Sequence, residues 1–86
     1  MNEELSLLDA ARSAVNGGRP GEALKRLDEH STRFPKGSLR LEAEVLRVQA
    51  LAAQGHKQEA SRRAKRVLER SPNSVVAARL RRYVIE

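Results

Sequence analysis

GGRPGEALKRLDEHSTRFP, residues 17–35, is answered by QGHKQEASRRAKRVLERSP, residues 54–72, thirty-seven positions further on. Gly18, Ala23, Leu24, Leu27 and Pro35 of the first stretch correspond to Gly55, Ala60, Ser61, Ala64 and Pro72 of the second. In four of these five places a glycine, a small or apolar helix residue, or a proline recurs in the same order. A repeat of fixed period is read before any local signal, because each copy is one supersecondary unit that buries its apolar face on the next. Each copy here reads as an apolar helical run, a glycine turn, a second helical run with alanine where two helices come close, and a proline that ends it. The expected fold is all-α, a stack of helical hairpins.

Working outward, Asn2 suits an N-cap and Glu3 and Glu4 the positive end of a first helix over about 3–16. Leu5, Leu7, Leu8, Ala11, Ala14 and Val15 give that helix a wide apolar face. Asn16-Gly17-Gly18 supplies a left-handed stop and Pro20 a good first turn for the second helix. Ala23, Leu24, Leu27 and His30 face inward there, and Pro35 disfavours helix at Phe34. A third helix over about 39–54 points Leu41, Val45, Val48, Leu51 and Ala52 inward and closes at Gly55. The fourth, about 57–70, has a narrow stripe of Ala60, Ala64, Val67 and Leu68. A closing helix is expected within 74–85, with Val76, Leu80, Tyr83 and Val84 on one side.

Composition agrees with a small helical stack. Eighty-six residues make one domain, expected to bury about 60 to 65% of its unfolded surface and to be marginally stable. That leaves no room for a deep catalytic cavity beside the core. The absence of cysteine removes disulfides, thiolate metal sites and a cysteine nucleophile together. MNEELSLLDA carries two glutamates where a signal peptide has basic residues, and no run of eighteen apolar residues occurs. The expectation is a cytoplasmic chain, or a periplasmic or membrane-tethered one if it is a piece of a larger envelope protein.

Five helices in this layout resemble the tetratricopeptide repeat, from about Leu5 to Pro72. Gly18 and Gly55 stand where that family has its turn glycine, Ala23 and Ala60 where it has its most regular alanine, and Pro35 and Pro72 where it has its closing proline. Leu7 stands at the usual first-helix tryptophan, with Glu44 at the equivalent place in the second unit. The aromatic pair of the family is missing, and the period of 37 exceeds its usual 34 residues. These departures make the chain similar to the divergent bacterial repeats of the BamD-like and CpoB-like kind. The resemblance implies a right-handed α-solenoid fragment spanning 1–86: one hairpin over about 3–35, a second over about 39–72, and a C-terminal capping helix over about 74–85.

It also implies binding, because such repeats act as adaptors or scaffolds that hold a peptide or partner helix in a groove lined by the first helix of each unit. By that geometry the groove is lined by Leu5, Leu8, Arg12, Val15, Glu42, Val45, Gln49, Ala52, Val76 and Arg79. Leu8 and Leu46 occupy places where a carboxylate clamp needs polar side chains, so none is expected. Leu8, Val45 and Val76 read equally as core residues of a two-hairpin stack. An amphipathic helix or extended segment suits the remainder.

Charge is divided unevenly. Residues 1–37 hold six basic and six acidic residues, whereas residues 38–86 hold eleven basic and five acidic, so the whole net charge of +6 lies in the second half. Arg62, Arg66 and Arg70 recur every four residues on the fourth helix, flanked by Arg63 and Lys65, and Arg79, Arg81 and Arg82 follow. Guanidinium forks match carboxylate or phosphate. The eight therefore read either as an anion-binding face, steering an acidic protein, or as a solvated outer helix face.

Nucleic acid is the alternative partner. ALAAQGHKQEASRRAKRVLERS, residues 50–71, superficially resembles a helix-turn-helix, and its cations suit phosphates. Against base reading, the same Gly-to-Pro pattern recurs in the neutral first half and both helices are long for that motif. Phe34 and Tyr83 are too few aromatics for a stacking platform. Catalysis is not expected. His30 and His56 lie in different units without metal-ligand spacing, NGGRPGEALK lacks the ending of a phosphate loop, and Ser6, Ser31 and Ser61 have no motif-implied histidine. No metal or cofactor is expected. Val75 and Ile85, lying off the main apolar side of the closing helix, make self-association a further expectation.

Overall fold

The structure, a computed structural model, describes residues 2–85, which are all-helical with no strand. Five helices follow in order: α1 (Glu3–Asn16), α2 (Pro20–Arg33), α3 (Arg40–Ala53), α4 (Lys57–Arg70) and α5 (Ala77–Arg81). Both ends of α3 and α4 lie 37 residues beyond the ends of α1 and α2, the period of the sequence repeat.

The shared bounds come from shared end chemistry. Asn2 Oδ1 accepts the Leu5 backbone N–H at 3.1 Å, and Glu3 and Glu4 occupy the first turn of α1. Gly18 and Gly55 take φ of 74° and 87°, the left-handed region where a side chain is disfavoured. That geometry sends the Arg19 N–H to Ala14 O at 2.8 Å and the His56 N–H to Leu51 O at 2.9 Å, pairing helix-end carbonyls that otherwise lack donors. At the other end of each unit, the Phe34 N–H bonds His30 O and the Ser71 N–H bonds Val67 O. Pro35 and Pro72 follow directly, and neither has an N–H to continue the ladder.

The helices pack as a sequential stack. Each touches the next in the chain, α1 touches α3, and α3 touches α5, whereas α2 and α4 do not meet among the described residues. First helices therefore form a continuous inner row and second helices are splayed. Three apolar clusters fill the stack: Val45, Val48 and Leu51 with Ala60, Ala64, Val67, Val76 and Leu80; Leu8, Ala11, Leu27 and Leu46; and Ala14, Ala23 and Ala50. Leu24 packs against all three.

Three expectations are corrected. The closing helix is five residues long, because Tyr83 and Val84 turn back onto carbonyls three residues earlier and Ser61 Oγ accepts the Ile85 N–H at 2.8 Å. Leu5 and Leu41, expected inward, are 43% and 36% exposed. Leu46 and Ala50 are buried without having been expected to be, since α3 touches all four other helices and so buries more than one stripe.

Candidate functional site

On the inner row, Leu8, Val45 and Val76 are buried at 0%, 0% and 4% exposure, which makes them core and removes them from any open groove. Leu5, Arg12, Val15, Glu42, Gln49, Ala52 and Arg79 keep solvent-facing surface. Leu5, Glu42 and Arg79 are one repeat position taken three times, 37 residues apart. That coincidence of register brings unlike charges together. Arg12 Nη2 donates to Glu42 Oε1 at 3.2 Å, and Arg79 Nη1 donates to Glu42 Oε1 and Oε2 at 3.3 and 3.2 Å. Arg12 also meets Asp9 at 3.0 Å. Partial burial raises the Glu42 pKa, but the hydrogen bonds and the positive charges of Arg79 and Arg12 together outweigh it and hold the carboxyl below its ordinary value. Arg12, Glu42 and Arg79 thus satisfy one another across α1, α3 and α5.

The eight expected cations do not form one face. Arg79 belongs to the inner row, and Arg81 donates to Pro72 O at 3.2 Å. Arg82 lies beside Tyr83 and Ile85. Arg62 and Lys65 are exposed on α4. Arg63, Arg66 and Arg70 remain together, joined by Arg40 at the start of α3. Arg40 was missed in the sequence. Its signal is a polar stripe of Arg40, Glu44 and Arg47 on α3, which inward-facing apolar residues on the same helix obscured.

That stripe is exposed for a packing reason. Since α2 and α4 do not meet, the side of α3 between them stays open. Two hollows share Arg40, Glu44 and Arg63 and together make one outer groove. Against α2 its lining includes Asp28, Phe34, Pro35 and Arg47; against α4 it includes Leu41, Arg66, Arg70 and Ser71. Arg47 is neutralised by Asp28 at 2.9 Å, and Arg63 reaches Glu44 at 3.7 Å and Glu59 at 3.8 Å. Arg40, Arg66 and Arg70 have no acidic partner among the described residues.

The histidines lie apart. His30 is buried against Glu4, and His56 is exposed before α4. Among the described residues no three His, Cys, Asp or Glu side chains converge as metal ligands do. No protein-family model matches this chain, and no curated protein or solved structure matches it either. No described helix is long and apolar enough to cross a membrane.

Proposed function

We propose that the chain is a non-catalytic protein–protein interaction module, an adaptor or scaffold of tetratricopeptide-like type, that engages an acidic partner through its basic second half. The observation that carries this reading is the contrast between the two exposed surfaces. On the inner row Arg12 and Arg79 already hold Glu42, while on the outer side Arg40, Arg66 and Arg70 have no acidic counterpart among the described residues. Arginine is enriched where proteins meet, and clustered charge of one sign speeds encounter with a partner of the other. The repeated hairpin supports it too, because a stack of like-folded units presents extended ordered surfaces suited to binding. Val75, 94% exposed, and Ile85, 43% exposed, extend the reading to self-association, which a monomeric mass at all concentrations overturns.

Affinity capture from a lysate of the source cell, run with and without nuclease, tests the reading. A discrete acidic protein retained in both arms is expected. Material lost with nuclease overturns it in favour of phosphate contact by the arginines.

A further inference from the structure

We infer that the outer groove between α2 and α4, floored by α3, binds an acidic segment of a protein partner in which an apolar side chain is flanked by carboxylates. The inference rests on the interaction-module reading and gives it a site and a ligand chemistry. The site differs from the surface that the first helices present. On α3, Arg40, Glu44 and Arg47 fall on one side of the helix, and Glu42 and Gln49 fall on another.

Charge defines the first part of the ligand. Arg40, Arg63, Arg66 and Arg70 face the α4 half of the groove against the single carboxylate of Glu44. Among the described residues Glu44 approaches only Arg63, which leaves the guanidinium groups of Arg40, Arg66 and Arg70 for an incoming anion. They come from two helices, Arg40 from the start of α3 and Arg66 and Arg70 from successive turns of α4, so they are spread over the hollow and not gathered at one point. A segment with several carboxylates fits that spread, each carboxylate taking one planar fork.

Apolar surface defines the second part. Leu41 is 36% exposed within the arginine-lined half, and Phe34 and Pro35 line the adjoining half. An exposed apolar strip beside unpaired cations suits an apolar side chain entering between carboxylates. The same strip, with the carboxylates of Glu44 and Asp28 in the lining, is poorly suited to a sugar-phosphate backbone. Splayed second helices keep the groove open without any rearrangement of the stack.

Fluorescence anisotropy with a labelled peptide, one leucine flanked on each side by paired glutamates, tests this. Its counterparts are the all-glutamine peptide, a leucine-to-serine peptide and a single-stranded oligonucleotide of similar length. The proteins are the wild type, R66E/R70E, K25E/K57E with the same change in net charge, and L5S/Q49E on the first-helix surface. Thermal melts by circular dichroism establish that each variant is folded. The expected result is binding of the glutamate peptide that weakens with added salt, falls in R66E/R70E by about tenfold or more, and changes little in the other two variants. Weaker binding of the glutamine and serine peptides is also expected.

Failure of the wild type to bind the glutamate peptide overturns the inference, and the adaptor reading is then judged by capture alone. Equal loss in K25E/K57E means that net charge, not the groove, does the binding. Loss confined to L5S/Q49E moves the site to the first helices and leaves the adaptor reading standing. Tighter, R66E/R70E-sensitive binding of the oligonucleotide overturns both.

Discussion

Glu4 and His30 form a buried polar pair where the second unit has Leu41 and Val67, residues 37 further on. An ionised carboxylate only accepts, so His30 Nε2 carries the proton it shares with Glu4 Oε2 at 2.9 Å. The Leu39 backbone N–H donates to the same oxygen at 3.1 Å, tying the loop between units to α1. Gly37 makes this approach possible, since a Cβ there would overlap the Glu4 carboxylate. The hydrogen bond from His30 lowers the Glu4 pKa below its ordinary 4.5 and outweighs burial, which acts upward; the Leu39 N–H adds to the lowering. A carboxyl with a depressed folded pKa stabilises the fold above its unfolded pKa and loses that contribution as pH falls. Glu4→Gln is therefore expected to be less stable than wild type at neutral pH and to lose less on acidification below about pH 4.5. Thermal melts across that range check it. Glu42 titrates in the same direction, so some acid sensitivity persists in the variant; parallel curves for the two proteins would refute the role given to Glu4.

At the scale of the element, the repeated glycine stop is the most direct link from sequence to structure. A Cβ built on Gly18 meets no heavy atom within 4 Å, so a substitution there strains only the backbone at φ 74°. Gly18→Ala is expected to cost about 1 to 2 kcal/mol, and Gly55→Ala a similar amount because its turn makes the same bonds. Urea unfolding measures both, and an unchanged midpoint in either variant would show that helix end to be built differently. The ends of α1 to α4 were legible because their signals are local: a cap, a glycine, a proline. The end of α5 was not. Its sequence continues with apolar spacing through Val84, but Ser61 on α4 holds the Ile85 N–H at 2.8 Å. Ser61 also breaks the repeat, standing where the first unit has Leu24, and the hydrogen bond accounts for the exchange.

For the whole molecule, α3 is the joint, and Leu24 packs against all three of the clusters that α3 helps to build. Leu46 is 1% exposed and packs with Leu8, Ala11 and Leu27 of the first hairpin. Leu46→Ala is expected to cost about 2 to 5 kcal/mol, as transfer plus cavity terms. Because α3 touches every other helix, the loss should appear as one cooperative transition at lower temperature. Two separated transitions in calorimetry would mean that the hairpins fold independently. The candidate groove belongs to this scale too. Three of its five arginines, Arg63, Arg66 and Arg70, were legible as a run on α4, whereas Arg40 and the opening beside it arise only because α2 and α4 fail to meet.

The sequence by itself determined the number of long helices, their period, their ends and most of their buried stripes, since caps, turns and helical spacing act within a few residues. Tertiary structure alone decided which cations stay unpaired. Arg79 finds Glu42, Arg47 finds Asp28 and Arg63 finds Glu44, each from a different helix. Ion pairing depends on distances of a few ångströms across helix contacts, which spacing along one chain does not encode. The same holds for Leu8, Val45 and Val76, whose spacing fits a groove and a core alike until neighbouring helices cover them.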